Sequence, residues 1–142
     1  MNIEPMVGVG QFKLGIGLDD PLWTEIGEHH PFKRNFMQEN PSLSFPLHRT
    51  VVYFDNQNLS AAVEILGDSA NFKSTNLIGL SVSEVRTLIG GEAGEYSYQD
   101  DVLTSISLNM SFYIFRRARK QVIRSVLVFA DSYLTEDDLE HQ

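Results

Sequence analysis

The clearest hydrophobic pattern in this chain lies in residues 78–90 and has the spacing of a helix. Its apolar positions fall at i, i+3, i+6 and i+7, and they are Val82, Val85, Leu88 and Ile89. Residues at this spacing lie on one side of a helix, so the pattern predicts a helix with one buried stripe.

Both ends of this helix carry their own signals. Ser81 and Glu84 have the S-x-x-E spacing of a capping box, in which each side chain bonds to the backbone N–H of the other residue. Gly90 follows the last apolar position and predicts a left-handed stop. The sequence therefore predicts a helix that begins after Ser81 and ends before Gly90.

A weaker copy of this segment occurs earlier, in residues 14–27. Gly15 matches Gly79 at an offset of 64 and Gly27 matches Gly90 at an offset of 63, so the first copy has gained one residue. Matches of this kind predict a degenerate tandem repeat. A helix is predicted here as well, because Asp20 can cap it, Pro21 suits the first helical position and three apolar residues gather on one side. These three are Leu22, Trp23 and Ile26.

A hairpin is predicted after the first helix. Residues 47–54 and 59–66 are rich in β-branched and aromatic residues and flank a polar turn cluster. Because side chains alternate along a strand, either Tyr53 or Phe54 should face the helix and the other should face solvent or a partner. Glu64 is expected to point outward.

Further strands are predicted at 103–108, 111–115 and 121–129. Strict alternation along the last of them places Ile123 on the same face as Leu127 and Phe129. The other face then carries Val122, Arg124, Val126 and Val128. The segment 28–46 contains Pro31, Pro41 and Pro46, which predict a packed loop in place of a regular element.

These elements predict an α+β fold in one compact domain spanning residues 1–142. The two pseudo-repeats would occupy 7–67 and 72–134, followed by an acidic tail at 135–142. Each half is a helix followed by antiparallel strands. The simplest assembly is one antiparallel sheet with both helices on one face.

Charge narrows the classes of partner. The 142 residues include 11 Lys and Arg against 19 Asp and Glu, a formal net charge of −8. This balance argues against general affinity for nucleic acid or anionic membrane, and it favours a basic partner. The chain has no cysteine and its start lacks the features of a signal peptide, so a cytoplasmic protein is expected.

No catalytic motif emerges from the sequence. Gly8 and Gly10 form a G-x-G without the third glycine of a dinucleotide loop, and His29 and His30 are adjacent, which is not helical ligand spacing. We therefore expect no metal, no cofactor and no enzymatic activity. An enzyme or small-ligand protein stays as an alternative that would need a deep pocket with converging polar groups.

The best candidate for a partner-binding surface is the acidic segment 92–101, which contains no Lys or Arg. Its acidic residues and two tyrosines at strand spacing suit the capture of a basic protein surface. The candidate residues are Glu92, Glu95, Tyr96, Tyr98, Asp100 and Asp101. The alternative is a solvated acidic loop beside a strand whose tyrosines pack inward.

One basic cluster interrupts this acidic chain, in residues 116–124. Its charges could bind nucleic acid weakly and with strong salt dependence. We expect them instead to pair with the protein's own carboxylates or to line the rim of a partner site.

The segments Leu14-Gly15-Ile16 and Ile78-Gly79-Leu80-Ser81, each followed by an amphipathic helix ending in Ile-Gly, resemble a known helix motif. It is the LGMS-x-x-E-V-x-x-L-L-G helix of small bacterial αβ modules, which the β-lactamase inhibitor protein and small outer-membrane assembly lipoproteins use. Cytosolic bacterial proteins with two copies resemble toxin immunity proteins. The lack of a signal peptide, a lipobox cysteine and a disulfide favours the immunity class over the secreted and lipidated members.

This resemblance implies a cytosolic immunity protein. Such a protein binds a cognate, basic toxin domain such as a nuclease and blocks its active site or its substrate, with no chemistry of its own. The alternative is a non-catalytic scaffold or assembly module that binds another protein or itself.

Overall fold

The structure is a computed structural model of the chain. It describes residues 1–33, 41–67, 69–89, 96–99, 101–117 and 120–133, with the side chains of all of these except 96–99 and 117.

Most of the described chain is β-structure. In the first half the strands are β1 (Ile3–Glu4), β2 (Gly8–Val9), β3 (Phe12–Lys13), β4 (His30–Phe32), β5 (Ser42–Phe45), β6 (Thr50–Phe54) and β7 (Ser60–Ile65). In the second half they are β8 (Asn71–Phe72), β9 (Thr75–Asn76), β10 (Tyr96–Gln99), β11 (Val102–Ser105), β12 (Met110–Arg117) and β13 (Lys120–Phe129). The helices are α1 (Leu22–Ile26) and α2 (Val82–Leu88), with 3-10 turns at Pro46–His48 and Asp131–Tyr133.

Eight of these strands form one antiparallel sheet in the order β10-β11-β12-β13-β7-β6-β5-β4. From one edge the strands β4 to β7 follow in chain order to the centre, and from the other edge β10 to β13 do the same. At the centre β13 pairs with β7. Two smaller sheets, β1-β2-β3 and β8-β9, are built from strands of two residues each. The protein is therefore an α+β protein dominated by antiparallel sheet.

The predicted start of α2 is confirmed. Glu84 N–H donates to Ser81 Oγ and Ser81 N–H donates to Glu84 Oε1, both at 3.2 Å, so the capping box is complete. The predicted stripe is less deeply buried than expected, since Val85 is fully buried and its other members are partly exposed. Those members are Val82, Leu88 and Ile89. Gly90, the predicted stop, lies outside the described residues.

The first helix is one turn long and begins close to its predicted start. Asp20 Oδ1 accepts a hydrogen bond from Leu22 N–H at 2.8 Å, and α1 ends before Gly27, which has a φ of 148°. Pro21 precedes the first helical residue and does not occupy it. Because α1 is so short, tertiary packing of Trp23 must hold it in place.

The loop before α1 is tied to β7 by two backbone hydrogen bonds. Gly15 N–H donates to Ser60 O at 2.7 Å, and Ser60 N–H donates to Ile16 O at 2.8 Å. The Ser60 hydroxyl adds two more, accepting from Ile16 N–H and donating to Lys13 O. Gly15 has a φ of 80°, a conformation that glycine adopts without strain.

The loop before α2 is tied to β13 by the same pair of bonds. Gly79 N–H donates to Ile123 O and Ile123 N–H donates to Leu80 O, both at 2.8 Å. Gly79 has a φ of 91°, again in the region that favours glycine. The glycines that match in the sequence thus make equivalent hydrogen bonds in the two halves.

One face of the large sheet, here called the core face, carries Val52, Val63, Phe112 and Val126. All four belong to the larger hydrophobic cluster, which also contains buried residues of both helices. The helix residues are Trp23, Ile26 and Val85. Phe54 also packs on this cluster, so of the two predicted alternatives it is Phe54 that faces the helix.

The prediction of a packed loop at 28–46 is wrong for the described part of that segment. Residues His30–Phe32 and Ser42–Phe45 are strands β4 and β5, and residues 34–40 lie outside the described residues. Pro31 is tolerated because β4 lies at the edge of the sheet, where a missing N–H does not break a ladder. Pro46 begins a 3-10 turn instead of breaking a strand.

The prediction of strict alternation along β13 is also wrong. Tyr113 pairs with Ser125 while the next residue, Ile114, pairs with Ile123, so Arg124 is an extra residue in a β-bulge. The bulge reverses the faces on either side of it. As a result, Ile123 is part of the larger cluster with Val126 and Val128, and is not on the face of Leu127 and Phe129.

Candidate functional site

The face of the sheet opposite the core face carries a second, smaller hydrophobic cluster. Residues that pair across antiparallel strands point to the same side of the sheet, and successive residues of a strand point to opposite sides. Tyr53 and Ala62 pair directly beside Val52 and Val63 of the core face, so they lie together on the opposite face. The buried members are Val51, Tyr53, Ala62, Leu127 and Phe129, with Tyr113 and Tyr133 packed against them. We call this surface the tyrosine face.

The 3-10 turn after β13 brings Tyr133 to this face. The Tyr133 ring lies 6.0 Å from that of Phe129 and 6.3 Å from that of Tyr53. Asn109 fixes the turn, because its Nδ2 donates to Asp131 Oδ1 at 2.8 Å. The aromatic side chains of this face are therefore held by the sheet itself and by an anchored turn.

Two further aromatic residues extend the tyrosine face and are exposed. Phe115 lies two residues beyond Tyr113 on β12 and is 47% exposed, with the Arg124 guanidinium 5.9 Å from the centre of its ring. Phe32 is 36% exposed and pairs with Ser42. Exposed, rigid aromatic side chains on a sheet are typical of protein interfaces.

Glu64 is the acidic residue at the centre of the tyrosine face. It lies on β7, paired with Val51 on one side and Leu127 on the other, and is half-buried. The Tyr53 hydroxyl donates to its Oε1 at 2.6 Å and the Ser125 hydroxyl donates to its Oε2 at 3.4 Å. The expectation that Glu64 points away from the core is correct, but its carboxylate is bonded within the face and does not extend freely into solvent.

The structure describes three of the six sequence-predicted site residues, and these three lie on one edge strand and in the turn after it. Tyr96 and Tyr98 are on β10, an edge strand, where they pair with Ser105 and Leu103. Asp101 is exposed in the turn after β10, with a φ of 63° and its Oδ1 3.8 Å from Arg116 Nη2. The remaining predicted residues, Glu92, Glu95 and Asp100, lie outside the described residues.

The ion pair of Asp101 links the predicted acidic surface to the basic hairpin. Both side chains are more than half exposed, so the pair contributes little to stability. Its effect is local, since Arg116 offsets the charge of Asp101. This contact agrees with one of the alternatives for the basic cluster, pairing with the protein's own carboxylates.

An open cleft of about 710 Å³ lies between α2 and the β12–β13 hairpin. Charged side chains of both signs line it: Glu84 against Arg86, Arg116 and Lys120. Glu84 is already engaged in the capping box and Arg116 in the pair with Asp101. Within the described part of the chain, no three His, Asp or Glu side chains are grouped so that they could hold a metal ion.

Sequence reasoning missed the tyrosine face because its polar centre is assembled from distant residues. Tyr53 and Glu64 are 11 residues apart, and Ser125 is 61 residues from Glu64. The available signal was the hairpin, whose alternation puts Tyr53 and Glu64 on one face. The pairing of β7 with β13 on its other side was not predictable from the alternation within the hairpin.

Comparison with known proteins identifies a similar fold. No protein-family model and no curated protein matches this chain. The crystal structure of the uncharacterized protein YfeY from Escherichia coli is similar, with a TM-score of 0.56 and 10% identity over 87% of this chain and 97% of that chain. At this identity the likeness shows the fold alone. In the described residues, neither helix has the length or apolar character of a membrane span.

Proposed function

We propose that this protein is a non-catalytic immunity protein that binds a basic toxin domain, such as a nuclease, and blocks it sterically and electrostatically in the cytoplasm. The observation that carries the proposal is the pair of exposed aromatic residues on the tyrosine face, Phe115 and Phe32, on either side of a buried hydrophobic cluster. Aromatic side chains on a rigid support supply much of the affinity of protein interfaces at low cost in conformational entropy.

Net charge supports a basic partner. The chain carries a formal charge of −8, and opposite charges on two proteins speed their association and disfavour wrong partners. The acidic segment predicted from the sequence, Glu92 to Asp101, contains β10, an edge strand of the same sheet. We propose that it guides encounter, while the tyrosine face supplies the contact area.

We also propose that the two halves are degenerate repeats, spanning 7–67 and 72–134. The equivalent hydrogen bonds of Gly15 and Gly79 support this, as does a sheet in which four strands of each half run from an edge to the centre. In this interpretation the tyrosine face is built where the repeats meet, since Glu64 is on β7 and Leu127 on β13. Neither repeat alone would then present it.

The proposal is tested by co-expression with the product of the gene directly upstream, which the proposal expects to be the toxin. We expect the two proteins to co-purify and this protein to restore growth of cells that produce the toxin. A catalytically inactive toxin should still bind, which separates binding from rescue. Absence of both binding and rescue would contradict the immunity function and favour the alternative, a scaffold module that binds another protein or itself.

A further inference from the structure

The open cleft between α2 and the β12–β13 hairpin has room for a small molecule. Its volume of about 710 Å³ lies within the range of small-molecule sites, about 300–1,000 Å³. The two walls are fixed to each other, because Ile123 on β13 exchanges two backbone hydrogen bonds of 2.8 Å with Gly79 and Leu80 in the loop before α2. On its inner side α2 is anchored by Val85, which is fully buried. The cleft is therefore a fixed feature of the fold.

Basic side chains from both walls line this cleft. Arg86 is on α2, Arg116 on β12 and Lys120 on β13, and all three are exposed. Among the described residues, Glu84 is the one carboxylate in the lining, so three positive charges against one negative give a local charge of +2. The whole chain carries −8. The cleft is thus a basic site on an acidic protein, and a cleft with one dominant sign of charge concentrates ligands of the opposite sign.

The carboxylates near these cations are held elsewhere or bound weakly. Glu84 Oε1 accepts the N–H of Ser81 at 3.2 Å in the capping box. Asp101 Oδ1 is 3.8 Å from Arg116 Nη2, which is longer than a hydrogen bond. Lys120 forms no ion pair within the part of the chain that the structure describes. The cleft therefore keeps charged donors for a bound anion.

We propose that this cleft binds a small polyanion, a molecule with two or more negative charges such as a diphosphate or a tricarboxylate. Guanidinium and ammonium groups make their strongest hydrogen bonds to phosphate and carboxylate oxygens, and two or more negative charges match the local charge of +2. Nucleic acid fits less well, because a long polyanion would extend beyond the cleft onto the acidic remainder of the chain. The proposal goes beyond the protein-binding function and does not depend on it, since the residues of the tyrosine face take no part.

The proposal is tested by isothermal titration calorimetry of the full chain with pyrophosphate and with citrate, at low ionic strength where screening is weak. We expect one binding site for at least one of the two probes, and the tighter probe identifies the preferred anionic group. Arg116→Gln and Lys120→Gln should each weaken binding about tenfold, a factor typical of losing one charged hydrogen bond. Lys120→Arg keeps the charge and should retain most of the affinity.

The matched control is Arg124→Gln, which removes the same charge from the same hairpin. Arg124 is exposed, but its guanidinium lies over the Phe115 ring and does not line the cleft. This variant should bind the probe as tightly as the unaltered protein. An equal loss of affinity for Arg124→Gln would show that only the overall charge of the hairpin matters, and it would overturn the proposal.

A variant with the opposite effect separates binding from a folding defect. Asp101→Asn removes the carboxylate that competes for Arg116, and Asn tolerates the positive φ of 63° at this position. It should strengthen binding by up to about fivefold, the most that an exposed ion pair is worth. No binding of either probe, or full binding by both Arg116→Gln and Lys120→Gln, would also overturn the proposal. None of these results bears on toxin rescue, which tests the immunity function alone.

Discussion

The two faces of the eight-stranded sheet use the same strands in different ways. On the core face the aromatic residues Phe45 and Phe112 are fully buried. The tyrosine face carries both buried aromatic residues, Tyr53 and Phe129, and partly exposed ones, Phe32 and Phe115. The core face packs on residues from both helices. The tyrosine face holds a carboxylate at its centre, bonded by hydroxyls from both neighbouring strands. We therefore expect the core face to supply most of the stability and the exposed aromatic residues of the tyrosine face, Phe32 and Phe115, to be available for recognition.

The largest effect is expected on the core face, for Trp23→Ala. Trp23 is 1% exposed, its ring lies 5.8 Å from that of Phe54, and its Nε1 donates to Gly17 O at 2.8 Å. Removing the indole should lower the free energy of unfolding by about 3–5 kcal/mol, measured by urea denaturation. The control is Leu47→Ala, at a residue 80% exposed, which should change stability by no more than about 0.5 kcal/mol. A cost below about 2 kcal/mol for Trp23→Ala would show that α1 contributes little to the core.

A smaller effect is expected within the tyrosine face, for Tyr53→Phe. The ring is kept but the 2.6 Å hydrogen bond to Glu64 is lost, which should cost about 1–2 kcal/mol because the acceptor is charged and only half-buried. In a Glu64→Gln background the same change should cost less, since a neutral acceptor makes a weaker bond. The four proteins form a thermodynamic cycle. Equal costs in both backgrounds would mean that the hydroxyl is not coupled to the carboxylate.

Local patterns in the sequence were sufficient to predict several elements. The capping box of Ser81 and Glu84 and the hairpin of β6 and β7 involve residues close together in the chain, and both are confirmed. Predictions failed where a distant partner decides the outcome. Arg124 becomes a bulge because of the pairing of β13 with β12, and Pro31 is accepted because β4 has no outer neighbour in the sheet.

The same distinction applies to the candidate site. The acidic segment 92–101 was identified because its charges are contiguous in sequence, and its role stays a prediction. The tyrosine face depends on the pairing of β7 with β13, which brings together residues from both halves of the chain. A single sequence contains no local signal for that pairing. Alternation within β7 was enough to separate Glu64 from the core, but not to give it Ser125 as a partner.

The smallest effect on stability is expected for Phe115→Ala, which gives the sharpest test of the difference between the faces. Phe115 is 47% exposed and its ring contacts the Arg124 side chain, so its removal should cost less than about 1 kcal/mol in urea denaturation. If the tyrosine face binds the partner, the same change should weaken binding of the upstream gene product several-fold, because exposed aromatic anchors contribute strongly to interfaces. Leu47→Ala removes an exposed apolar side chain from the 3-10 turn after β5 and should alter neither quantity. A large loss of stability without any loss of binding for Phe115→Ala would reverse the assignment, because Phe115 would then serve the fold and the binding surface would lie elsewhere.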